Sequence, residues 1–274
     1  MLPENLEAIV IKGKLFLGDP THNTWDFDFD RDVRRADKFF RSGDYGDALE
    51  VYETTFDRGG VLPGSRIFSP EGSCSIVDCY GLISLREANA GAIGRALMNG
   101  RSEIKVVSSY AGALRRYYEA VNHDSSLIAN INAASERMVI AHLRLAGHYF
   151  RVRTRKGPLK NLEGNHFKAI DTIGKGVEIL NALLQGKLAD DFLLYRASET
   201  LVQLADKLER VSISNDEVLD YRVNLYETAL NYIMNTKTDD FAVIGKREFI
   251  SGLVERLEAA NAARYSDMAL AYNL

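Results

Sequence analysis

The sequence predicts an all-α protein built from antiparallel helical hairpins. Apolar residues recur at helical spacing almost throughout the chain after residue 28, and the alternation typical of strands is scarce. The length of 274 residues is sufficient to bury a substantial core without disulfides or metals. We expect about eight to eleven helices joined by short turns.

Composition excludes several classes of protein. Charged residues make up 26% of the chain and the formal net charge is −4, which indicates neither disorder nor an overall basic nucleic-acid-binding surface. The spacing of Cys74 and Cys79 fits neither a CxxC redox pair nor a zinc half-site. No stretch resembles a signal peptide or has membrane-spanning length. We predict an intracellular, cytoplasmic protein without membrane insertion.

The N-terminal stretch EAIVIKGKLFLG, residues 7–18, is open to two interpretations. β-branched and aromatic residues flank Gly13, which suits a short hairpin, but the stretch also fits a first helix broken at that glycine. We favour the helix and keep the hairpin as the alternative. The next element is clearer, because one helical stripe contains Phe29, Val33, Ala36 and Phe40.

The remaining elements follow from start signals, breaks and apolar stripes. Residues 57–73 are rich in Gly and Pro and predict a long loop, either functional or inserted between hairpins. Asp124-Ser125-Ser126 predicts the start of a helix of about 25 residues. A helix of about 20 residues is expected between PLKNLEG, at 158–164, and Gly186-Lys187. Apolar stripes predict further helices over 194–208, over 219–233 with Ser214 and Glu217 as a capping box, and over 250–257.

No composition shift divides the chain sharply. We therefore treat 1–274 as a single helical domain. One candidate subdivision separates N-terminal hairpins, 1–122, from a C-terminal bundle, 123–274.

The stretch SGDYGDALEVYET, residues 42–54, predicts a tight turn between two helices. Gly43 ends one apolar stripe and tolerates the backbone that a turn needs, and Asp44 can cap the next helix. The surrounding pattern resembles a tetratricopeptide repeat. The residues in that family's small and large signature positions are Ala36, Phe39, Gly43, Tyr45, Ala48 and Tyr52.

The resemblance is partial and is best over residues 32–56. Residues that depart from the pattern are Asp32, Arg35, Thr55 and Gly60. Echoes of the second-helix pattern occur at 109–124, 166–180 and 225–233. Their anchors Ala48, Ala113 and Ala169 are separated by 65 and 56 residues, rather than by the roughly 34 of a regular array. An unrelated helical bundle with similar small residues at helix crossings is the alternative.

The resemblance implies a protein-protein interaction scaffold or adaptor. Stacked helical hairpins leave a concave surface that binds a peptide or helix of a partner. The partner contacts implied on the first helix are Arg34, Arg35, Lys38 and Arg41. Self-association is a further expectation, because irregular helical stacks bury leftover apolar faces on a copy of themselves.

A second hypothesis rests on the basic residues between 137 and 160. If one helix continued to residue 155, it would place Arg137, Arg144, Arg151 and Arg155 on one ridge. Guanidinium groups pair with phosphate, so this ridge could bind nucleic acid or another phosphate ligand. The residues assigned to it are Arg137, Arg144, Arg151, Arg153, Arg155 and Lys156. A solvated helix face with a basic C-terminal turn is the simpler alternative.

No motif names a reaction, a cofactor or a metal. Asp26, Asp28 and Asp30 imitate the start of a calcium loop, but Arg31 stands where that loop needs glycine. We expect Cys79 to be a buried structural thiol and His142 to be a satisfied interior histidine. An enzyme would need residues that only the fold brings together.

Overall fold

The structure of the protein is a computed structural model, and it describes residues 7–11, 14–18, 27–58, 76–120, 128–152, 160–189, 191–209, 216–237 and 245–272. Within these ranges lie two strands, β1 (Glu7–Ile11) and β2 (Lys14–Gly18). The same ranges contain nine helices: α1 (Phe27–Ser42), α2 (Tyr45–Arg58), α3 (Ile76–Asn89), α4 (Ile93–Ala120), α5 (Ile128–Tyr149), α6 (Lys160–Gln185), α7 (Asp191–Glu209), α8 (Asp216–Met234) and α9 (Lys246–Tyr272). The prediction of an all-α protein with an optional N-terminal hairpin is confirmed.

The N-terminal stretch is a hairpin, so the preference for a broken first helix is wrong. β1 and β2 pair antiparallel, with Ala8 opposite Leu17 and Ile11 opposite Lys14. Consecutive β-branched residues in β1 disfavour a helix, and a two-residue connection that contains Gly13 suits a hairpin turn. The connection itself, Lys12-Gly13, lies outside the described residues.

Contacts between elements divide the chain into two compact units, residues 1–185 and 186–274. Unit 1 contains the hairpin and α1–α6, and unit 2 contains α7–α9. The subdivision at 122/123 that the sequence suggested stays a prediction.

Helix pairs stack in unit 1, because each helix from α1 to α6 packs against the next one along the chain. Small residues allow the first pair to approach closely, since Ala36 and Ala48 are both fully buried. The cluster that joins α1, α2 and α3 is made of Val33, Ala36, Ala48, Tyr52, Ile76 and Cys79. A second cluster, between α4, α5 and α6, is centred on Leu145, Tyr149 and Ala169.

The turn between α1 and α2 has the geometry that its sequence predicts. Gly43 has a φ of +85°, a left-handed conformation that glycine adopts without steric cost. Its N–H donates to Phe40 O at 3.0 Å, and Asp44 N–H donates to Phe39 O at 2.9 Å. These bonds close the C-terminus of α1. Asp44 is the N-cap residue of α2, and its carbonyl accepts from Ala48 N–H at 3.0 Å.

Unit 2 has a core of its own between α7, α8 and α9. Ser198 on α7 is fully buried, and its hydroxyl donates towards Ala229 O of α8 at 3.0 Å. Asp206 links all three helices, because it accepts a hydrogen bond from Tyr226 OH at 2.7 Å and lies 3.5 Å from Arg256 Nε. Tyr226 and Tyr232 of α8 are both at 0% exposure.

Several helix boundaries differ from the sequence-based ones. α6 has 26 residues and begins at Lys160, inside the stretch that predicted a break. Pro158 precedes the helix, and the cost of Gly164 within it is only about 1 kcal/mol, which packing against α5 can offset. α9 has 27 residues and extends well beyond 250–257 at both ends. Residues 59–75, Asp124-Ser125-Ser126 and Ser214 lie outside the described ranges.

Within the described ranges, none of the helices combines the length and the apolar composition that crossing a bilayer requires.

Candidate functional site

One face of α1 carries the four cations to which the sequence assigns partner contact. Arg34, Arg35, Lys38 and Arg41 are all exposed, and their spacing places them on one side of the helix. We call this set the α1 basic face. The opposite side packs onto α2 through buried residues that include Val33 and Ala36.

Contacts between α1 and α2 hold α1 in a fixed orientation. Tyr52 of α2 donates its hydroxyl proton to Asp37, which belongs to α1. Phe40 and Tyr45 make an edge-to-face contact across the turn, with ring centroids 5.3 Å apart. The guanidinium of Arg35 lies over the ring of Phe39, 5.6 Å from its centroid. The α1 basic face is therefore presented by a rigid support rather than by a loop.

The ridge that was predicted along α5 is not continuous. α5 ends at Tyr149, and Arg151 follows in a turn, so the helix does not extend to Arg155. The N–H of Arg151 donates to His148 O at 3.0 Å, and its Nη1 donates to Asn89 Oδ1 at 3.2 Å. Arg153, Arg155 and Lys156 lie outside the described residues.

The two earlier arginines of that ridge form ion pairs with neighbouring helices. Arg137 donates to both oxygens of Asp78 on α3, at 3.0 and 3.2 Å. Arg144 donates from Nη1 to Glu103 Oε1 on α4 at 2.6 Å. The side chains of Arg137 and Arg144 are only 19% and 18% exposed. Through these ion pairs, Arg137 links α5 to α3 and Arg144 links α5 to α4. Their assignment to a nucleic-acid site stays a prediction.

Glu103 is a buried acid that lies near the charged side chains of Arg144, Asp78 and Arg137. Its side chain is 4% exposed, and Oε2 has no hydrogen-bond partner among the described residues. Burial raises the pKa of Glu103 to about 7, and this outweighs the opposing effect of Arg144. Close packing reinforces the arrangement, because a Cβ on Gly81 of α3 would overlap Arg144 Nη1.

Sequence reasoning missed Asp78, Glu103 and Arg101. Arg101 on α4 donates from Nε and Nη2 to the hydroxyl of Tyr149, at 3.2 and 3.1 Å. The sequence could have predicted that Glu103 is buried, since it precedes the buried Val107 and Tyr110 by four and seven residues on the same helical stripe. The partners lie 41 to 59 residues apart along the chain, so no local pattern could have paired them.

Other candidate residues are placed as follows. Cys79 is buried in the α1–α2–α3 cluster, as expected. His142 is 7% exposed, and its Nδ1 lies 2.7 Å from Met138 O. Burial lowers the pKa of His142, so the neutral ring of an interior histidine is favoured. Asp28 and Asp30 fall in the first turns of α1, and the described residues contain no group of acids, histidines and cysteines that could hold a metal.

No protein-family model matches the chain, and no curated protein matches its sequence. The resemblance to tetratricopeptide hairpins therefore stands on the residues of α1 and α2 and on the stacked helix pairs.

Proposed function

We propose that the protein binds another protein, and that the α1 basic face receives an acidic segment of this partner. The observation that carries the proposal is the exposure of Arg34, Arg35, Lys38 and Arg41 on one face of one helix. A row of like charges on a helix raises the local potential and attracts a segment of opposite charge. We class the protein as an interaction scaffold similar to tetratricopeptide-like hairpins.

The surroundings of the α1 basic face suit a protein partner. Phe39 is half-buried and lies beneath the guanidinium of Arg35, so an apolar ring borders the charges. Protein interfaces combine apolar anchors with charged groups, and arginine is frequent among their main contacts. The partner segment that fits is acidic, with an apolar side chain that reaches the ring of Phe39.

The rigid hairpin supports the same role. Because α1 is held by α2 through buried alanines and the Tyr52–Asp37 hydrogen bond, binding would cost little ordering of the backbone. A stack of such pairs is the architecture that repeat proteins use to present binding surfaces.

The experiment compares three forms of the protein on nuclease-treated extract from its own cells. Wild type, the triple variant Arg35→Glu, Lys38→Glu, Arg41→Glu, and the control Arg115→Glu, Lys168→Glu, Arg247→Glu, whose three residues are exposed, are immobilised in equal amounts. The control makes the same change in charge on other helices. A protein retained by wild type and control is identified by mass spectrometry, produced pure, and titrated by calorimetry.

We expect the α1 variant to bind this purified partner at least about tenfold more weakly than wild type does. The control should bind within about threefold of wild type, with affinities falling as salt rises. A partner that binds wild type and the α1 variant equally well would place the interface elsewhere and contradict the proposal.

A further inference from the structure

Unit 1 contains the helix pairs α1–α2, α3–α4 and α5–α6, and the two contacts between successive pairs differ in chemistry. The α1–α2 pair meets α3 through an apolar cluster, and we call this contact the apolar joint. Its buried members are Val33, Ala36, Ala48, Tyr52, Ile76 and Cys79. A hydrogen bond from Tyr80 OH to Glu53 Oε1 crosses the same contact at 2.9 Å.

The α3–α4 pair meets α5 through a row of polar contacts, and we call this contact the polar joint. The paired residues are Asp78–Arg137, Ser84–His148, Glu103–Arg144 and Arg101–Tyr149. Ser84 and His148 are buried, and their Oγ and Nε2 atoms lie 3.2 Å apart. The polar joint therefore contains buried groups that can change their charge, whereas the buried members of the apolar joint are uncharged.

Glu103 is enclosed at the polar joint by three helices. Its Oε1 accepts a hydrogen bond from Arg144, whereas the buried Oε2 has no hydrogen-bond partner among the described residues. The backbone of Gly81 covers the ion pair from α3, because an added Cβ there would overlap Arg144 Nη1 and lie 2.8 Å from Glu103 Oε1. On the α3 side, the closed joint therefore leaves no space for a water molecule beside this pair.

We propose that the polar joint is a pH-sensitive contact within unit 1, closed while Glu103 carries a proton and opened more readily once Glu103 is ionised. A buried carboxylate oxygen without a donor is costly, and opening the joint lets water hydrate it. Arg144 offsets part of this cost, but its hydrogen bond reaches Oε1 alone. Separation of α5–α6 from α3–α4 would change the surface that the stacked pairs present.

The charged groups around Glu103 determine the direction of the response. α4 packs against α3, which contributes Asp78, and against α5, which contributes Arg137 and Arg144. Burial raises the pKa of Glu103 from 4.5 to about 7, and Asp78 adds to this effect while the two arginines oppose it. In the opened joint the carboxyl group regains its ordinary pKa. The equilibrium constant for opening should therefore increase about tenfold per pH unit between 4.5 and 7, and level off above this range.

The test measures how fast a buried thiol at each joint reacts with 4,4′-dithiodipyridine. Ala141 is fully buried on α5 between Arg137 and Arg144, so Ala141→Cys with Cys74→Ser and Cys79→Ala reports on the polar joint. The natural Cys79, which is fully buried, reports on the apolar joint in a Cys74→Ser background. Each rate is divided by the rate of the same chain unfolded in urea at the same pH, which removes the ionisation of the thiol itself.

Circular dichroism checks that each of these proteins is folded. Ala134→Cys is the second probe if Ala141→Cys does not fold. Ala134 is also fully buried and lies seven residues earlier on the same side of α5.

We expect the rate ratio of the Ala141→Cys protein to increase about tenfold per pH unit between 4.5 and 7 and to stay constant above 7. The ratio for Cys79 should change less than about twofold, because the apolar joint opens independently. Glu103→Gln keeps the shape of the side chain but cannot ionise, so it should abolish the increase. Asp78→Asn removes the other acid of the joint and should keep the increase, with its upper end shifted to lower pH.

Three results would each overturn the proposal. The first is a rate ratio of the Ala141→Cys protein that does not depend on pH. The second is a pH dependence that survives Glu103→Gln, since it would belong to another group such as His148. The third is a parallel increase at Cys79, because unit 1 would then unfold as a whole instead of opening at one joint. None of these measurements involves the α1 basic face, so the proposed function and this inference can fail separately.

Discussion

Because Glu103 is buried, its protonation makes the free energy of unfolding of unit 1 depend on pH. Its pKa is about 7 in the folded protein, against 4.5 for the ordinary side chain, and burial is the main cause. The folded state therefore holds a proton that the unfolded chain releases. Its contribution to the free energy of unfolding is complete below pH 4.5 and is lost as pH rises through the folded pKa.

We expect this loss to amount to about 3 kcal/mol between pH 4.5 and 7, as an order of magnitude. Urea unfolding of wild type and Glu103→Gln at closely spaced pH values measures it. The difference in the free energy of unfolding between the two proteins should change over this window and level off above it. A constant difference would show that Glu103 does not take up a proton on folding.

Gly81 leaves space for the ion pair between Arg144 and Glu103. A Cβ at this position would overlap Arg144 Nη1 and lie 2.8 Å from Glu103 Oε1. Gly81→Ala should therefore displace Arg144 and leave the buried carboxyl group without its partner, lowering the free energy of unfolding by about 3 kcal/mol. Urea denaturation measures this change.

The matched control is Gly174→Ala in α6. An added Cβ there meets nothing within 4 Å, so this change should be neutral or slightly stabilising. Equal effects of the two substitutions would mean that Arg144 moves aside at no cost.

Arg137 and Arg144 show which features of a residue the sequence predicts and which it does not. The spacing of Arg137 and Arg144 correctly places both on one side of α5, because helical period is a local property. Their engagement by Asp78 and Glu103 depends on how α3 and α4 pack against α5. That packing is tertiary, and no residue near the arginines encodes it.

At the scale of single elements, two glycines near the turn between α1 and α2 allow backbone preferences to be compared. Gly43 has a φ of +85°, whereas Gly46 lies in the first turn of α2 with an ordinary helical backbone. An added Cβ meets nothing within 4 Å at either position, so backbone preference alone decides the outcome. Gly43→Ala should cost about 1 kcal/mol, and Gly46→Ala should stabilise by about 0.5 kcal/mol.

Thermal unfolding followed by circular dichroism checks the signs of these two effects. The midpoint should fall for Gly43→Ala and rise for Gly46→Ala. Shifts in the same direction would contradict the turn geometry at Gly43.

Elements differ in how well the sequence predicts them. α1 and α2 follow from one apolar stripe and one turn signal, because both signals are strong and adjacent. The pairing of β1 with β2 was the weaker alternative, since five-residue strands give too few positions for periodicity to decide. The start of α6 was misplaced, because Pro158 and Gly164 are tolerated around a helix N-terminus.

At the scale of the molecule, the contact pattern divides the chain after Gln185. The fragments 1–185 and 186–274 each keep a buried core, so both should be helical and unfold cooperatively on their own. Circular dichroism with thermal melting of the separate fragments measures this.

For comparison, the chain can be divided between residues 122 and 123 instead. That cut separates α4 from α5 and breaks the ion pairs Arg137–Asp78 and Arg144–Glu103. We expect fragments 1–122 and 123–274 to melt broadly or to aggregate. Sharp melting of both would favour the sequence-based subdivision instead.

The sequence predicted the class of the molecule and most of its helices, but not the boundary between its units. Periodicity reports which face of a helix is buried and leaves open which helix covers it. For the same reason, the α1 basic face was recognisable from one helix alone. The ion pairs Arg137–Asp78 and Arg144–Glu103 were not, because they join α5 to α3 and α4.

The buried tyrosines of α8 give unit 2 an optical signal, which the separate fragment 186–274 would report without a contribution from unit 1. Burial raises the pKa of Tyr226 and of Tyr232 to about 12, from an ordinary value of 10.0. In alkaline solution between those values, exposed phenols are ionised while these two keep their protons. Any opening of α7, α8 and α9 would let them ionise and absorb as phenolates. Ultraviolet absorbance of the fragment 186–274 can therefore follow the loosening of this core without any attached label.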